Sequence, residues 1–339
     1  MKTNKTLRVG IVGAGLIGKK RAEVIAQTKK GTLVAIADPD FSRAGTLAEA
    51  FGVEPLRDWK TLVARKDIDV VIVAVPNVFA APIVLAALKH GKHVLCEKPF
   101  GANVKQSKAM LAAAKKAKRL VKVGFNHRFH DAIIKAHEIF VKGGIGKKVL
   151  FIRARYGHGG RKGMEKEWRF NKKISGGGEL LDQGVHIIDL ARWFGGEFTS
   201  AYGLARTKFW NTKVDDNAFA FLENNETTVS FHVSTTQWKN LFSFEVFGDQ
   251  GYLNIQGKKG SYGEEVLEWG KKIVGAAPKI EIFKFGAKDE SWQKEWEHFV
   301  RAINGKEKLI GSAYDGLKAN QIVAALYASS KKRRPVRLT

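Results

Sequence analysis

The chain has 339 residues, of which 44% are hydrophobic, so it is long enough to bury a large core and to form two domains. Its 58 Lys and Arg against 33 Asp and Glu give a net charge of +25, which favours an anionic small-molecule substrate such as one that carries a phosphate group. The sequence has no motif that would enter a nucleic-acid groove, so we expect no nucleic-acid partner. Cys96 is the single cysteine, which excludes an intramolecular disulfide and a Cys-pair metal site and fits a reducing compartment.

The N-terminus resembles a signal peptide, because basic residues lead into an apolar run from Val9 to Gly18. Four glycines interrupt this run, three basic residues follow it at once, and it lacks a small-residue cleavage site. No other stretch reaches the roughly 18 to 20 apolar residues that a membrane helix needs. We therefore expect a cytoplasmic protein with no membrane partner and no metal.

Between Leu7 and Gly124 short β-branched runs alternate with segments rich in Ala, Lys and Leu. The runs are LRVGIV, LVAIAD, VVIVAV, HVLCE and LVKVGF. Strands that alternate with helices predict a parallel sheet with helices on both faces, and nearly continuous apolar runs are typical of such strands. Residues 1–123 are therefore predicted to form a doubly wound α/β domain.

A glycine-rich turn joins the first predicted strand to a helix. Gly13, Gly15 and Gly18 form the pattern GxGxxG, with Leu16 and Ile17 inside it. In this motif the first glycine permits a tight turn, the second lets a pyrophosphate approach the backbone, and the third lets the helix pack on the strand. The turn predicts a dinucleotide site.

The second predicted strand ends at Asp38, about 20 residues beyond the last glycine, where an acid accepts hydrogen bonds from the adenosine ribose and repels a 2′-phosphate. NAD is therefore the predicted cofactor. NADP stays the alternative, because Arg43 follows closely and could bind a 2′-phosphate.

Two later strand ends should face the nicotinamide, because ligands lie beyond the carboxyl ends of strands in an open parallel sheet. The residues there are Pro76 with Asn77, and then Glu97 and Lys98. Pro99 favours an extended Lys98, whose ammonium group could stabilise negative charge on a substrate hydroxyl.

Beyond Gly124 the pattern changes to longer strands with period-2 alternation, such as LFSFEVFG from Leu241. Residues 124–339 are predicted to form an α+β domain that contains a large, mostly antiparallel, open-faced sheet. This domain is expected to bind the substrate and to mediate oligomerisation. Its outer face retains Leu241, Phe247 and Trp238, so we expect another subunit to cover it, giving a homodimer or homotetramer.

A predicted helix in GGGELLDQGVHIIDLARWFGG places Asp182 and His186 four residues apart and therefore on one face. Histidine titrates near neutrality, so His186 is the natural general base for oxidising an alcohol, and Asp182 could orient it or relay its proton. The triple glycine before them would let a ligand come close. The glycine-rich stretch at 157–178 is either a binding loop or a surface connection.

These features together resemble the Gfo/Idh/MocA family of oxidoreductases over essentially the whole chain. The segments that carry the resemblance are GAGLIG, EKP at 97–99, GFNHRF from Gly124, and GGGELLDQGVHIIDL. The resemblance implies a Rossmann domain, an open-sheet domain that often mediates oligomers, and a catalytic set consisting of Lys98, Asp182 and His186. It further implies that Glu97 and Lys98 approach the nicotinamide ribose and that Pro99 follows a cis bond.

Three further positions, Arg128, Trp168 and Arg169, lie in segments that often line the active site of the family. One departure is Ala80, which stands where the family pattern PNxxH has histidine. The predicted function is hydride transfer between nicotinamide and a ring carbon of a sugar, nucleotide sugar or inositol-like polyol. The alternative is a non-catalytic sugar or nucleotide sensor.

Overall fold

The computed structural model describes residues 6–338 and contains two compact units. The first unit comprises the described residues up to Asn126 together with Trp292–Lys318. The second comprises His127–Ser291 and the described residues from Ala319 onward. The predicted domain division at residue 123 stays a proposal. It assigned residues 124–339 to one domain, whereas Trp292–Lys318 belongs to the first unit.

The first unit contains a six-stranded parallel sheet with the order β3-β2-β1-β4-β5-β6. This order is that of a doubly wound dinucleotide-binding fold, so the predicted α/β fold is confirmed. The strands are β1 Arg8–Val12, β2 Thr32–Ala37, β3 Glu54–Leu56, β4 Val70–Val73, β5 His93–Cys96 and β6 Val121–Val123. Only β3 lies outside the predicted runs; it is short and contains a proline.

Five helices connect these strands, and the N-cap side chains of several of them accept hydrogen bonds from backbone N–H groups. Asp40 accepts a hydrogen bond from the backbone N–H of Arg43 at the start of α2, and Asn103 accepts one from Gln106 at the start of α5. The helices are α1 Leu16–Thr28, α2 Phe41–Phe51, α3 Trp59–Ala64, α4 Asn77–Lys89 and α5 Val104–Ala117.

A distant segment completes the core of the first unit. Trp296 and Phe299, both in a helix over Ser291–Ile303, are buried among Ile11, Ile25 and neighbouring core residues. The sequence predicts this segment as part of the second domain, because an amphipathic helix does not indicate which sheet it will cover.

The second unit contains a nine-stranded, mostly antiparallel sheet with the order β14-β13-β12-β11-β7-β10-β9-β8-β15, and only β7 and β10 pair in parallel. The predicted open sheet is thereby confirmed. The strands are β7 Val149–Gly157, β8 Ser200–Arg206, β9 Asn217–Glu223, β10 Thr228–Ser234, β11 Leu241–Gly248, β12 Gly251–Gln256, β13 Glu265–Ile273, β14 Ala276–Phe285 and β15 Val336–Arg337.

Helices lie against one face of this sheet, and its strands alternate accordingly. In β9, Ala218, Ala220 and Leu222 are buried whereas Phe219 and Phe221 are exposed. The α-helices of the second unit are α6 Asp131–Val141, α7 Lys172–Ser175, α8 Glu179–Asp182 and α9 Gly184–Gly195, and a 3₁₀ turn η1 covers Asn126–Phe129. The last two helices of the chain are α10 Ser291–Ile303, which belongs almost entirely to the first unit, and α11 Ala313–Lys332, which begins in the first unit and ends in the second.

The predicted continuous helix through Asp182 and His186 is wrong. Helix α8 ends at Asp182 and α9 begins at Gly184, so Gln183 separates the two residues. The backbone N–H of His186 donates to the carbonyl of Gln183 at 3.0 Å, a spacing of three residues that marks the junction.

Candidate active site

The glycine turn of the first unit has the shape that its motif predicts. Gly13 has φ +103°, and a Cβ there would lie 2.2 Å from the carbonyl oxygen of Ala74. A Cβ at Gly18 would lie 1.8 Å from the oxygen of Gly13, so α1 can approach the turn only because that residue is glycine. A Cβ at Gly15 would meet none of the described atoms within 4 Å, which is the open approach that a pyrophosphate requires.

Asp38 is held against this turn by the backbone. Its carboxylate accepts hydrogen bonds from the N–H of Ala14 at 2.8 Å and from the N–H of Asp40 at 2.9 Å. Leu16 starts α1 beside the turn with 80% of its surface exposed. The first unit therefore has the features that an NAD molecule requires: the N-terminus of α1 could hold its phosphates, and Asp38 could bind its ribose.

The residues predicted for the nicotinamide side follow β4 and β5. Pro76 is the N-cap of α4, and Asn77 opens that helix with only 7% exposure. Ala80, the position where the family has histidine, is 3% exposed, so its methyl group fills part of the core instead. The bond between Lys98 and Pro99 is cis, as the resemblance implied.

Glu97 belongs to a buried charge cluster that the sequence did not predict. Arg21 in α1 contacts Glu97 at 2.6 Å and Glu295 of α10 at 2.7 Å, and Lys122 of β6 lies 3.5 Å from Glu295. A Cβ at Gly124 would lie 2.6 Å from the Glu97 carboxylate, so this glycine makes room for it. The glutamate is thus directed into the unit, next to half-buried Lys98.

The electrostatic balance at Glu97 is set by burial and by Arg21. Burial raises the pKa of Glu97, while the positive charge of Arg21 opposes that rise. An ionised carboxylate in such surroundings needs its partner, because an unpaired buried charge costs several kcal/mol. Arg21 thereby supports the strand end that carries Lys98.

The second unit places His186 in a cluster of aromatic rings. His186 is 3% exposed, and its ring stacks on that of His127 in η1 with centroids 3.7 Å apart and planes 22° apart. Tyr156 at the end of β7 lies 5.1 Å from His127 and 6.4 Å from His186. The sequence marked GFNHRF as part of the family pattern but did not predict this stack.

Asp182 faces the loop that follows β7. Its Oδ2 lies 3.6 Å from Nε of Arg169, and the two side chains are 26% and 37% exposed respectively. Trp168 lies beside Arg169, with the guanidinium carbon 4.7 Å from the ring centroid. The stretch at 157–178 therefore brings Trp168 and Arg169 to Asp182, which favours the binding-loop interpretation.

Arg128 has a different environment from Trp168 and Arg169. It is 3% exposed, and its Nε and Nη2 donate to the two oxygens of Asp189 at 2.6 Å each. Its guanidinium also lies 5.1 Å from the ring of Trp193. This bidentate pair ties η1 to α9 and indicates a supporting role for Arg128.

The triple glycine before α8 does not leave the space that was predicted for a ligand. A Cβ at Gly177 would lie 2.5 Å from the hydroxyl of Tyr327, and a Cβ at Gly178 would lie 2.1 Å from the carbonyl of Asp215. Asp215 also accepts hydrogen bonds from the N–H of Leu180 and the hydroxyl of Tyr327. At these two positions the glycines admit other parts of the chain, which fix the entry into α8.

Further polar side chains pack against the histidine stack or against its neighbours, and no short sequence motif predicts them. Nδ1 of His130 lies 3.0 Å from Oε2 of Glu265, whose other oxygen accepts the N–H of Ala132 at 2.5 Å. Burial lowers the pKa of His130, and Glu265 opposes this shift. Burial also raises the pKa of Tyr262 to about 12, so its hydroxyl is protonated at neutral pH.

Residues 6–338 contain neither a cluster of metal-ligating side chains nor a helix that could span a membrane. No group of three or more His, Cys, Asp or Glu side chains there could hold a metal ion. None of the helices in that range is long and apolar enough to cross a membrane.

Family comparisons match both halves of the chain. Residues 7–125 match the oxidoreductase family model described as an NAD-binding Rossmann fold, and residues 133–254 match the C-terminal domain model of the same family, GFO/IDH/MocA.

Similar proteins and structures agree with these matches. Levoglucosan dehydrogenase of Pseudarthrobacter phenanthrenivorans is 33% identical over 60% of this chain and 55% of its own length, so the match spans about half of that relative. Inositol 2-dehydrogenase 4 of Saccharopolyspora erythraea is 29% identical over 99% of this chain and 97% of its own. A solved levoglucosan dehydrogenase in complex with NADH and levoglucosan superposes with a TM-score of 0.91 at 26% identity, covering 99% of this chain and 100% of that one.

Proposed function

The chain belongs to the Gfo/Idh/MocA family of oxidoreductases, and we propose that it is an NAD-dependent dehydrogenase acting on a CH–OH group of a sugar or polyol. The observation that carries the proposal is the buried imidazole of His186 in the second unit of a chain whose first unit has a complete dinucleotide turn. The named relatives act on levoglucosan and inositol, which are polyhydroxylated rings. We therefore propose a substrate of that chemical class.

The first unit supplies the residues that would hold NAD. The turn at 13–18, with Leu16 and Ile17, would bind the pyrophosphate, and Asp38 would bind the adenosine ribose. Pro76, Asn77, Glu97 and Lys98 are the proposed nicotinamide-side residues. NAD bound there would supply the acceptor for the hydride of the substrate carbon.

Proton movement is the task of the protein's own side chains. His186 accepts the proton of the substrate hydroxyl as the C–H bond breaks, and the ammonium group of Lys98 stabilises the charge on that oxygen. Asp182 orients the imidazole or relays its proton. The same groups run the reverse reaction, in which His186 donates a proton to the oxygen of the reduced carbonyl.

Substrate contacts outside this set are proposed for Trp168 and Arg169, which lie beside Asp182. The net charge of +25 favours a phosphate-bearing substrate within the same class. We further propose a cytoplasmic homodimer or homotetramer.

The test is the nicotinamide absorbance change with NAD and with NADP against a panel of anhydrosugars, free sugars, inositols, nucleotide sugars and sugar phosphates. His186→Ala should lower turnover by about two to four orders of magnitude with NAD binding retained. His232→Ala is the matched control, because His232 stacks on Phe219 on the outer face of the sheet. Tight NAD binding without turnover on any panel member would favour the sensor alternative instead.

A further inference from the structure

The segment η1 is attached to helix α9 by two contacts in parallel. Asp189 and His186 are three residues apart in α9 and therefore lie on the same side of that helix. Asp189 holds Arg128 through two hydrogen bonds of 2.6 Å, and His186 meets the ring of His127, the neighbour of Arg128, at 3.7 Å.

The ring of His127 is itself enclosed on its other sides. The ring centroids of Tyr156, His130 and Phe242 lie 5.1, 5.6 and 5.9 Å from its own. His127 is 3% exposed, and its carbonyl accepts the N–H of His130 at 3.3 Å. A ring packed in this way presents a fixed surface to His186.

We propose that His127 is a positioning residue that holds the imidazole plane of His186 by stacking on its face. The proposal rests on the proposed role of His186 in proton transfer. A contact through the ring face restrains rotation about the Cβ–Cγ bond without using either ring nitrogen, so the proton-accepting edge keeps its direction. General base catalysis depends on that direction, because the nitrogen must come within hydrogen-bond reach of the substrate hydroxyl.

Two substitutions separate stacking from hydrogen bonding at this position. His127→Gln keeps polar atoms within reach but removes the ring, and kcat should fall about five- to tenfold while KM for NAD stays within about twofold. His127→Phe keeps a ring that can stack and removes both nitrogens, and it should restore most of the lost kcat. His232→Gln removes a stacked histidine from the outer sheet face and should leave kcat unchanged.

The opposite order of the two variants would overturn the proposal. Wild-type kcat in His127→Gln, or a loss in His127→Phe as large as in His127→Gln, would mean that the ring face is not what acts on His186. The His186→Ala variant keeps this outcome distinct from failure of the proposed function: full turnover in His186→Ala refutes the base itself, whatever the His127 variants do.

A measurement on the wild-type protein guards against a variant that does not fold. In the full chain labelled at histidine, the ring protons of His186 should resonate upfield of an unstacked imidazole because of the facing ring. Ring signals of His186 at the position of an unstacked imidazole would refute the contact, independently of any variant's activity.

Discussion

Arg21 and Glu295 form an ion pair in which Nη2 and Oε2 are 2.7 Å apart and the side chains are 1% and 0% exposed. The two residues lie 274 positions apart in the chain, in α1 and α10. This pair joins α1, the helix that follows the glycine turn, to α10, which comes from a distant part of the sequence. Glu97 forms a second ion pair with Arg21.

Removing the Glu295 charge should destabilise the protein strongly. Glu295→Gln leaves Arg21 and Lys122 buried with less negative charge near them, and we expect a loss of about 3 kcal/mol in the free energy of unfolding. Glu297→Gln is the control, since its side chain is 38% exposed and its contact with Arg301 is 3.9 Å long. Urea unfolding curves check this, and coincident curves for the two variants would refute it.

Two glycines of the turn should fail in different ways when replaced by alanine. Gly15→Ala adds a methyl group in open space, so it should keep its melting temperature but bind NAD at least about tenfold more weakly. Gly18→Ala forces its Cβ toward the Gly13 oxygen and should lose about 1–3 kcal/mol of stability. Calorimetry and NAD titration distinguish them; unimpaired NAD binding by Gly15→Ala would mean that the pyrophosphate lies elsewhere.

Asp38 should set the choice between the two nicotinamide cofactors. Asp38→Ala removes the acceptor for the ribose hydroxyls and the charge that repels a 2′-phosphate, so NAD binding should weaken and its advantage over NADP should narrow. Asp58→Ala, which removes only the N-cap of α3, is the control and should leave the ratio of NAD to NADP affinity unchanged. If Arg43 binds the 2′-phosphate, Arg43→Ala in the Asp38→Ala background removes the gain for NADP. An unaltered ratio in Asp38→Ala would show that the ribose is recognised by other residues.

His137 should make the protein less stable in mild acid. Burial lowers its pKa to about 4, with the positive charge of Arg128 adding to the effect, while its ring stacks on Trp193 at 3.7 Å. The folded protein therefore holds the neutral form. The contribution of neutral His137 to the free energy of unfolding is complete above the pKa of about 6.5 that the residue has in the unfolded chain. This contribution is lost as the pH falls from there toward 4.

His137→Phe keeps a ring against Trp193 and removes the titration, so its melting temperature should fall less between pH 6.5 and 4.5 than that of the wild type. His90→Phe, at an exposed position, is the control and should follow the wild-type curve. Parallel curves for wild type and His137→Phe would assign the acid loss to other buried groups.

The exposed face of the nine-stranded sheet should bind a second copy of the chain. Phe219, Phe221, Ile280 and Ile282 are 49%, 53%, 49% and 60% exposed on it, a large apolar surface for a single chain. Phe221→Lys should lower the mass seen in light scattering, whereas Val274→Lys, on the β13–β14 turn, should not. A wild-type protein that is a monomer at micromolar concentration would refute the assembly.

The strands and the cofactor turn of the first unit could be predicted because their signals are local. A glycine pattern, an acid at the next strand end and runs of β-branched residues each depend on residues near one another in sequence. For the same reason the short β3 was missed, since a three-residue strand containing Pro55 has no periodicity to detect.

The features that could not be predicted depend on contacts between distant positions. The stack of His127 on His186 and the pairing of His130 with Glu265 join residues from different elements, and single histidines carry no indication of such partners. The break at Gln183 could not be predicted, because a glycine such as Gly184 is tolerated inside a helix. In the structure the absence of a side chain at Gly184 lets Leu180 pack against it, which the sequence does not indicate.

The return of α10 to the first unit has a consequence for biosynthesis. Trp296 and Phe299 fill a core whose other members, such as Ile11 and Ile25, leave the ribosome far earlier. During translation an apolar surface of the N-terminal sheet therefore remains exposed until residues 292–318 have been synthesised. A fragment ending near Asn126 would carry the complete glycine turn yet expose the apolar site of these two aromatic rings, and it is expected to aggregate rather than fold as an independent nucleotide-binding module.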